Sequence, residues 1–199
     1  MPHDKKNIMI ILSSPSGVGK TTLTKKIQQK FNNIKISVSH TTRLPRSNEV
    51  NGVDYYFVTK KEFEALIKEN QFYEYAKIYE NYYGTLKKNV DQTIKNNDII
   101  FDIDWQGTKQ LTEFKNLKLI KIFLTTRSKQ ELKERLVSRN QNTKEEIDKR
   151  FNSFEEDIKH WCDYDYIIIN QNLEVCFSQI KEIIQNHKND LIISSQKIQ

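Results

Sequence analysis

Behind the apolar run Ile8 to Leu12 the chain reads Ser13-Ser14-Pro15-Ser16-Gly17-Val18-Gly19-Lys20-Thr21. Two glycines two apart let the backbone turn its N–H groups to one side, and a cation and a hydroxyl follow where a helix begins. A turn of this kind at a helix N-terminus attracts a polyanion. From Ser14 onward the residues fit G-x-x-x-x-G-K-[ST] everywhere except the first position, where Ser14 stands for glycine. That pattern supports binding of a nucleoside triphosphate. Inward amides cradle the phosphates, Lys20 reaches the β- and γ-phosphates, and the Thr21 hydroxyl ligates Mg²⁺. The plain alternative is a glycine turn ahead of an ordinary helix. An apolar strand before it and the Leu23, Ile27, Phe31 stripe after it favour the phosphate site. The reaction stays open, because motors, switches and kinases all bind triphosphates this way.

Further along, Arg43 and Arg46 flank Pro45, which fixes a turn. Paired guanidiniums suit forked recognition of a second phosphate, although two exposed arginines are more often merely solvated. Asp102 ends the apolar segment Asp98 to Asp102, where open α/β sheets place their sites. If the strand continued, Asp104 would point to the same side; alternatively Asp104 caps a helix beginning near Trp105. His3, His40, His160 and His187 are scattered without metal-ligand spacing. The serines of the first turn belong to that turn and are not read as nucleophiles.

Five stretches in order now resemble the guanylate kinase family. They are the phosphate loop, S-V-S-x-T-T-R-x-P-R from Ser37 to Arg46, E-x-x-G-x-x-Y-x-F from Glu49 to Phe57, N-Y-Y-G from Asn81 to Gly84, and D-I-D-x-Q-G from Asp102 to Gly107. Together they cover about residues 8 to 170. The resemblance implies transfer of the ATP γ-phosphoryl to GMP, giving ADP and GDP, with Mg²⁺ as cofactor and ATP as co-substrate. It implies that Ser14, Pro15, Ser16, Gly17, Val18, Gly19, Lys20, Thr21 and Thr22 contact ATP. Arg43, Arg46, Tyr55 and Tyr83 would hold the GMP phosphate, and Ser39, Glu74, Thr85 and Asp102 would line the guanine pocket. Thr85 stands where the family often has serine, and the hydroxyl is kept. Asp102 is also a candidate to reach Mg²⁺ through water. Arg135, Arg139 and Arg150 match lid arginines that close over ATP; Lys20, Arg43, Arg139 and Arg150 are the candidate catalytic set. Ser138-Arg139-Asn140 replaces the family's G-R-G, which removes two glycines from a hinge. For Arg135 the plain alternative is an i,i+4 ion pair with Glu131.

The guanine assignment has a chemical basis. Guanine presents N1–H and an exocyclic amine side by side, and one carboxylate accepts both. Adenine turns an N1 lone pair toward that charge, so rejection comes from repulsion and an unpaired buried group. The plain alternative for Glu74, between Tyr73 and Tyr75, is a surface charge on a strand. For the neighbours Tyr82 and Tyr83, alternation along a strand places one inward and one at the site.

These residues need a scaffold, and apolar runs at Ile8–Leu12, Ile34–Val38, Ile99–Phe101, Leu119–Leu124 and Tyr166–Ile169 read as strands buried on both faces. Helical stripes lie among them: Leu132 and Leu136 after a Ser128 cap; Ile147, Phe151, Phe154 and Ile158; and Val175, Ile180, Ile183 and Ile184. The fold class is α/β, a P-loop three-layer core with a parallel sheet, an inserted α+β GMP-binding lobe and a helical lid. The core spans 1–38 and 86–189, the lobe 39–85, the lid about 135–155 and a frayed tail 190–199. The lobe region holds most of the tyrosines and one helix near Thr59 to Glu69. The segment Arg139 to Glu145 is expected to be an exposed connection.

With 199 residues, a net charge of +6 and two cysteines, Cys162 and Cys176, the chain suits one cytoplasmic domain with an anionic partner. No run approaches the ~20 apolar residues of a membrane span. The expected partners are GMP and ATP, with dGMP tolerance open, no nucleic acid, no membrane, and a monomer or homodimer. Two other classes compete. A non-catalytic module of the same fold would use these arginines and tyrosines to bind a phosphorylated protein, but such modules typically have degraded phosphate loops. A basic nucleic-acid binder would stack bases on the tyrosines, yet the carboxylates among them repel a phosphate backbone.

Overall fold

In the computed structural model, residues 7–138 and 144–196 are described. Five strands form one parallel sheet: β1 (Met9–Ser13), β2 (Ile34–Ile36), β7 (Asp98–Asp102), β8 (Leu119–Thr125) and β9 (Tyr166–Ile169), in the order β2-β7-β1-β8-β9. The central strand β1 is buried at every position. Ile10 and Leu12 face one cluster with Leu23, Ile27, Leu132, Leu136, Ile180 and Ile184. Met9 and Ile11 face the other, with Val90, Phe101, Leu111 and Phe123. Covering both faces is why these strands are apolar throughout instead of alternating.

The first cluster packs under α1 (Lys20–Lys30), α5 (Lys129–Ser138), α6 (Lys144–Lys159) and α7 (Leu173–Gln196); the second packs under α3 (Lys87–Thr93) and α4 (Trp105–Glu113). A second sheet, in the order β4-β3-β6-β5, is built from β3 (His40–Thr41), β4 (Tyr56–Phe57), β5 (Phe72–Ile78) and β6 (Asn81–Leu86). It carries α2 (Lys60–Lys68), started by a capping box between Thr59 and Glu62. Ser128 starts α5 in the expected way, its hydroxyl accepting from the Glu131 amide at 3.2 Å.

Several expectations need correction. β2 stops at Ile36, short of Val38. Val175 is 56% exposed, because the buried side of α7 runs through Cys176, Ile180 and Ile184. Lys144 and Glu145 open α6 and are not part of a connection. α7 continues through Gln196, into the segment expected to fray. The helix α3 had no sequence stripe to announce it, since Val90 is its one buried residue. Arg139 and Asn140 lie outside the described residues.

Candidate active site

The glycine turn links β1 to α1, and both glycines are required by the backbone. Gly17 and Gly19 have φ of +97° and +105°, a region side chains disfavour. A Cβ on Gly17 would stand 2.7 Å from Leu136 Cδ2, and one on Gly19 would stand 2.9 Å from Asn170 Nδ2. Ser14, the departure from the pattern, does not have a positive φ, and its hydroxyl donates to the Pro15 carbonyl at 2.9 Å. Serine therefore fits without strain there. Among the described residues, the amides of Gly17, Gly19 and Lys20 donate no recorded hydrogen bond. They are the donors an anion needs at a helix start.

Lys20 leaves the first turn of α1 and reaches the end of β7. Its Nζ is 2.9 Å from Asp102 Oδ1 and donates to the Ile103 carbonyl at 2.8 Å. Thr21 donates to Asp102 Oδ2 at 3.4 Å, and Thr22 is exposed on the next position. Asp104 is not a second acid on the strand. β7 ends at Asp102, and Asp104 Oδ1 accepts from the Gly107 amide at 3.1 Å as the N-cap of α4.

Across from the turn, β5 and β6 pair Glu74 with Thr85. Glu74 is 3% exposed and Thr85 fully buried, so the surface-charge alternative fails. The Glu74 Oε1 atom has no hydrogen-bond partner among the described residues. Burial pushes this carboxyl up to about 7; Asp104 adds to the rise, while Thr85 and Lys20 oppose it. Ser39 Oγ lies 3.5 Å from the Thr85 hydroxyl. Gly107 makes room for the acid, because a Cβ there would sit 2.6 Å from Glu74 Oε2. Two motifs distant in sequence thus meet at one carboxylate.

The phosphate-reading candidates also converge. Arg43 lies over the rings of Tyr55, at 5.4 Å, and Phe57, at 5.9 Å. Tyr83 meets Tyr55 edge to face at 6.0 Å, while Tyr82 stacks inward on Phe63 at 5.3 Å. Burial raises the Tyr55 hydroxyl to about 12, and the charge of Asp102 adds to it, so this ring feels the core's carboxylate. Arg46 is more exposed, at 61%.

The family model described as guanylate kinase matches residues 6–187. The chain belongs to the guanylate kinase family. A guanylate kinase from Rickettsia felis is 44% identical over 185 residues, covering 92% of this chain and 96% of its own. One from Clostridioides difficile is 42% identical over 186 residues, covering 93% and 90%. The crystal structure of guanylate kinase from Anaplasma phagocytophilum superposes with a TM-score of 0.76 at 32% identity, covering 92% of this chain and 86% of that one. The α/β fold with its mainly parallel sheet is thus that of guanylate kinases.

In the segment expected to form a lid, Arg135 makes the Glu131 ion pair at 2.6 Å, and it also donates to the carbonyls of Val18, at 3.3 Å, and Asn170. The i,i+4 pair and a contact to the glycine turn therefore coexist. Arg150 is half-buried on α6. Two residues escaped sequence reasoning. Asn170 is 4% exposed and donates to the Val18 carbonyl at 2.6 Å, bracing the loop from the end of β9. Its place just after an apolar strand was the available signal. Asp157 on α6 is pushed up to about 7 by burial first and by Asp104, with Lys20 pulling it down. Nothing in the local sequence separates it from the solvated acids Glu155 and Glu156.

Proposed function

We propose that this guanylate kinase family member transfers the γ-phosphoryl of ATP to the phosphate of GMP. The observation that carries the reading is Glu74: a buried carboxylate with an unpartnered oxygen, on the sheet that faces a phosphate-binding turn. Guanine's N1–H and amine satisfy that oxygen pair, whereas adenine leaves it unpaired and repelled. Ser39, Thr85 and Asp102 complete the base pocket, and Arg43, Arg46, Tyr55 and Tyr83 take the monophosphate. Residues 39–85 act as the GMP lobe, 1–38 and 86–189 as the core, with the lid at about 135–155.

A phosphate oxygen of GMP attacks the γ-phosphorus, the bond to the β–γ bridging oxygen breaks, and ADP leaves. Little covalent work falls to the protein; positioning and charge compensation dominate. The amides of the turn hold the phosphates, and Lys20 moves from Asp102 to the bridging region. Arg43 screens the acceptor phosphate, while Arg135, Arg139 and Arg150 cover the ATP side. Thr21 and Asp102, with oxygens 3.4 Å apart, fit the hard ligand set of Mg²⁺, and Thr21 would hold the ion directly and Asp102 through water. An ion held there would supply charge neutralisation to the phosphates. Among the described residues no helix is long and apolar enough to cross a membrane, and we place the reaction in the cytoplasm.

The test is a coupled ADP-release assay across nucleoside monophosphates with ATP and Mg²⁺. GMP turnover with AMP weaker by about 10²-fold or more is expected. Absent GMP turnover together with tight phosphopeptide binding would instead support a binding module.

A further inference from the structure

The run from Glu49 to Phe57 opens on an acid to which the proposed reaction gives no role. Glu49 is only 11% exposed, and Arg43 only 18%. Its Oε2 accepts from Arg43 Nη1 at 3.0 Å and its Oε1 from Arg43 Nη2 at 2.8 Å, a bidentate fork. Oε2 also accepts the Arg46 amide at 2.8 Å, and Oε1 lies 3.6 Å from Arg46 Nη1. One carboxylate therefore fixes both the guanidinium of Arg43 and the backbone of the turn that carries Arg46.

The donor inventory shows what this leaves. A guanidinium has five N–H groups. Glu49 takes one from each terminal nitrogen, and the Leu44 carbonyl takes another from Nη1 at 2.7 Å. The Tyr83 side chain is a further hydrogen-bond partner of this guanidinium, and the hydrogens that Glu49 and Leu44 leave are Nε–H and the second one on Nη2. They point in parallel from a single edge, the spacing that two phosphate oxygens accept. The stack on Tyr55 and Phe57 holds the same plane from its face. Burial works against the charge on Glu49, but its bonds to Arg43 and Arg46 outweigh this and hold its carboxyl below the usual range. An exposed ion pair would count for little, whereas this one is sheltered and saturated.

We propose that Glu49 is a positioning residue for the acceptor monophosphate: it grips Arg43 by its outer end so that the other edge is presented to the phosphate. The proposal rests on the reading of Arg43 as a GMP-phosphate ligand. Glu49→Gln puts an amide N–H against the guanidinium and breaks the fork. The full-length variant is titrated with GMP and with guanosine, which lacks the phosphate, and its KM values for GMP and ATP are measured. GMP affinity should fall about 10- to 100-fold, guanosine affinity should stay within about twofold, and the ATP KM should not move. Glu49→Asp should fall between the two. In an Arg43→Gln background the same substitution should add less than about twofold. Equal weakening of GMP and guanosine would show a merely structural role and overturn the proposal. So would unchanged GMP binding, or losses that add fully in the double variant. Wild-type protein inactive on GMP would count against the proposed function; active wild type with an indifferent Glu49→Gln variant counts against Glu49 alone.

Discussion

At Glu74 the protein buries a carboxyl whose ordinary value of 4.5 is pushed up to about 7, chiefly by loss of water. A raised carboxyl gives the folded state a stability contribution that is full below pH 4.5 and lost as pH rises through about 7. Stability of the ligand-free protein should therefore decline across that window, and Glu74→Gln should flatten the decline in thermal melts at stepped pH. In the proposed pocket guanine needs the ionised form. Guanosine affinity should then drop about tenfold per pH unit below 7 in wild type and vary little in the glutamine variant, by calorimetry. The same variant should lose most of its preference for GMP over AMP, and an unchanged preference would remove Glu74 from the pocket. Lys20→Ala should lower kcat by about 10²- to 10³-fold while the circular dichroism spectrum stays native, because its ammonium pairs with Asp102 and, in the proposed mechanism, with the phosphates, and not with the core.

Between residue and fold, α4 is the element that ties the two sheets to one site. Asp104 caps it, and three residues later Gly107 lies against Glu74. Glycine inside a helix is normally a liability, and alanine would add about 0.5–1 kcal/mol of helix stability. Here the alanine methyl would meet Glu74 Oε2 at 2.6 Å, so the carboxylate must shift. Gly107→Ala should raise the KM for GMP about tenfold or more with the ATP KM unchanged. Asp104→Ala, by contrast, should cost about 1 kcal/mol of stability through the lost cap, read from denaturant midpoints.

Over the whole molecule, stability and the proposed catalysis lie at opposite ends of β7. Asp98 at its start is 1% exposed and accepts from the Ile8 amide at 2.9 Å, from Asn33 at 2.8 Å and from Lys188 on α7. Asp98→Ala would leave a buried amide and an ammonium unpaired, and should cost about 3 kcal/mol in urea unfolding while leaving the KM values within twofold. Lys25 on α1 reaches Asp54 beside the second sheet at 3.5 Å, but it is 60% exposed and contributes little.

The sequence by itself determined the parallel sheet, the glycine turn and the motifs, because buried strands are apolar throughout and because positive φ requires glycine at 17 and 19. These are local constraints, legible in a few adjacent residues. Only the tertiary structure decided that Asp104 is a cap, that Gly107 makes space for Glu74, that Asn170 braces Val18, and that Glu49 holds Arg43. Except for the Glu49 pair, each of these joins elements or fixes where one ends. Even the Glu49 pair turns on which guanidinium edge faces the acid, and no spacing along a chain encodes that orientation.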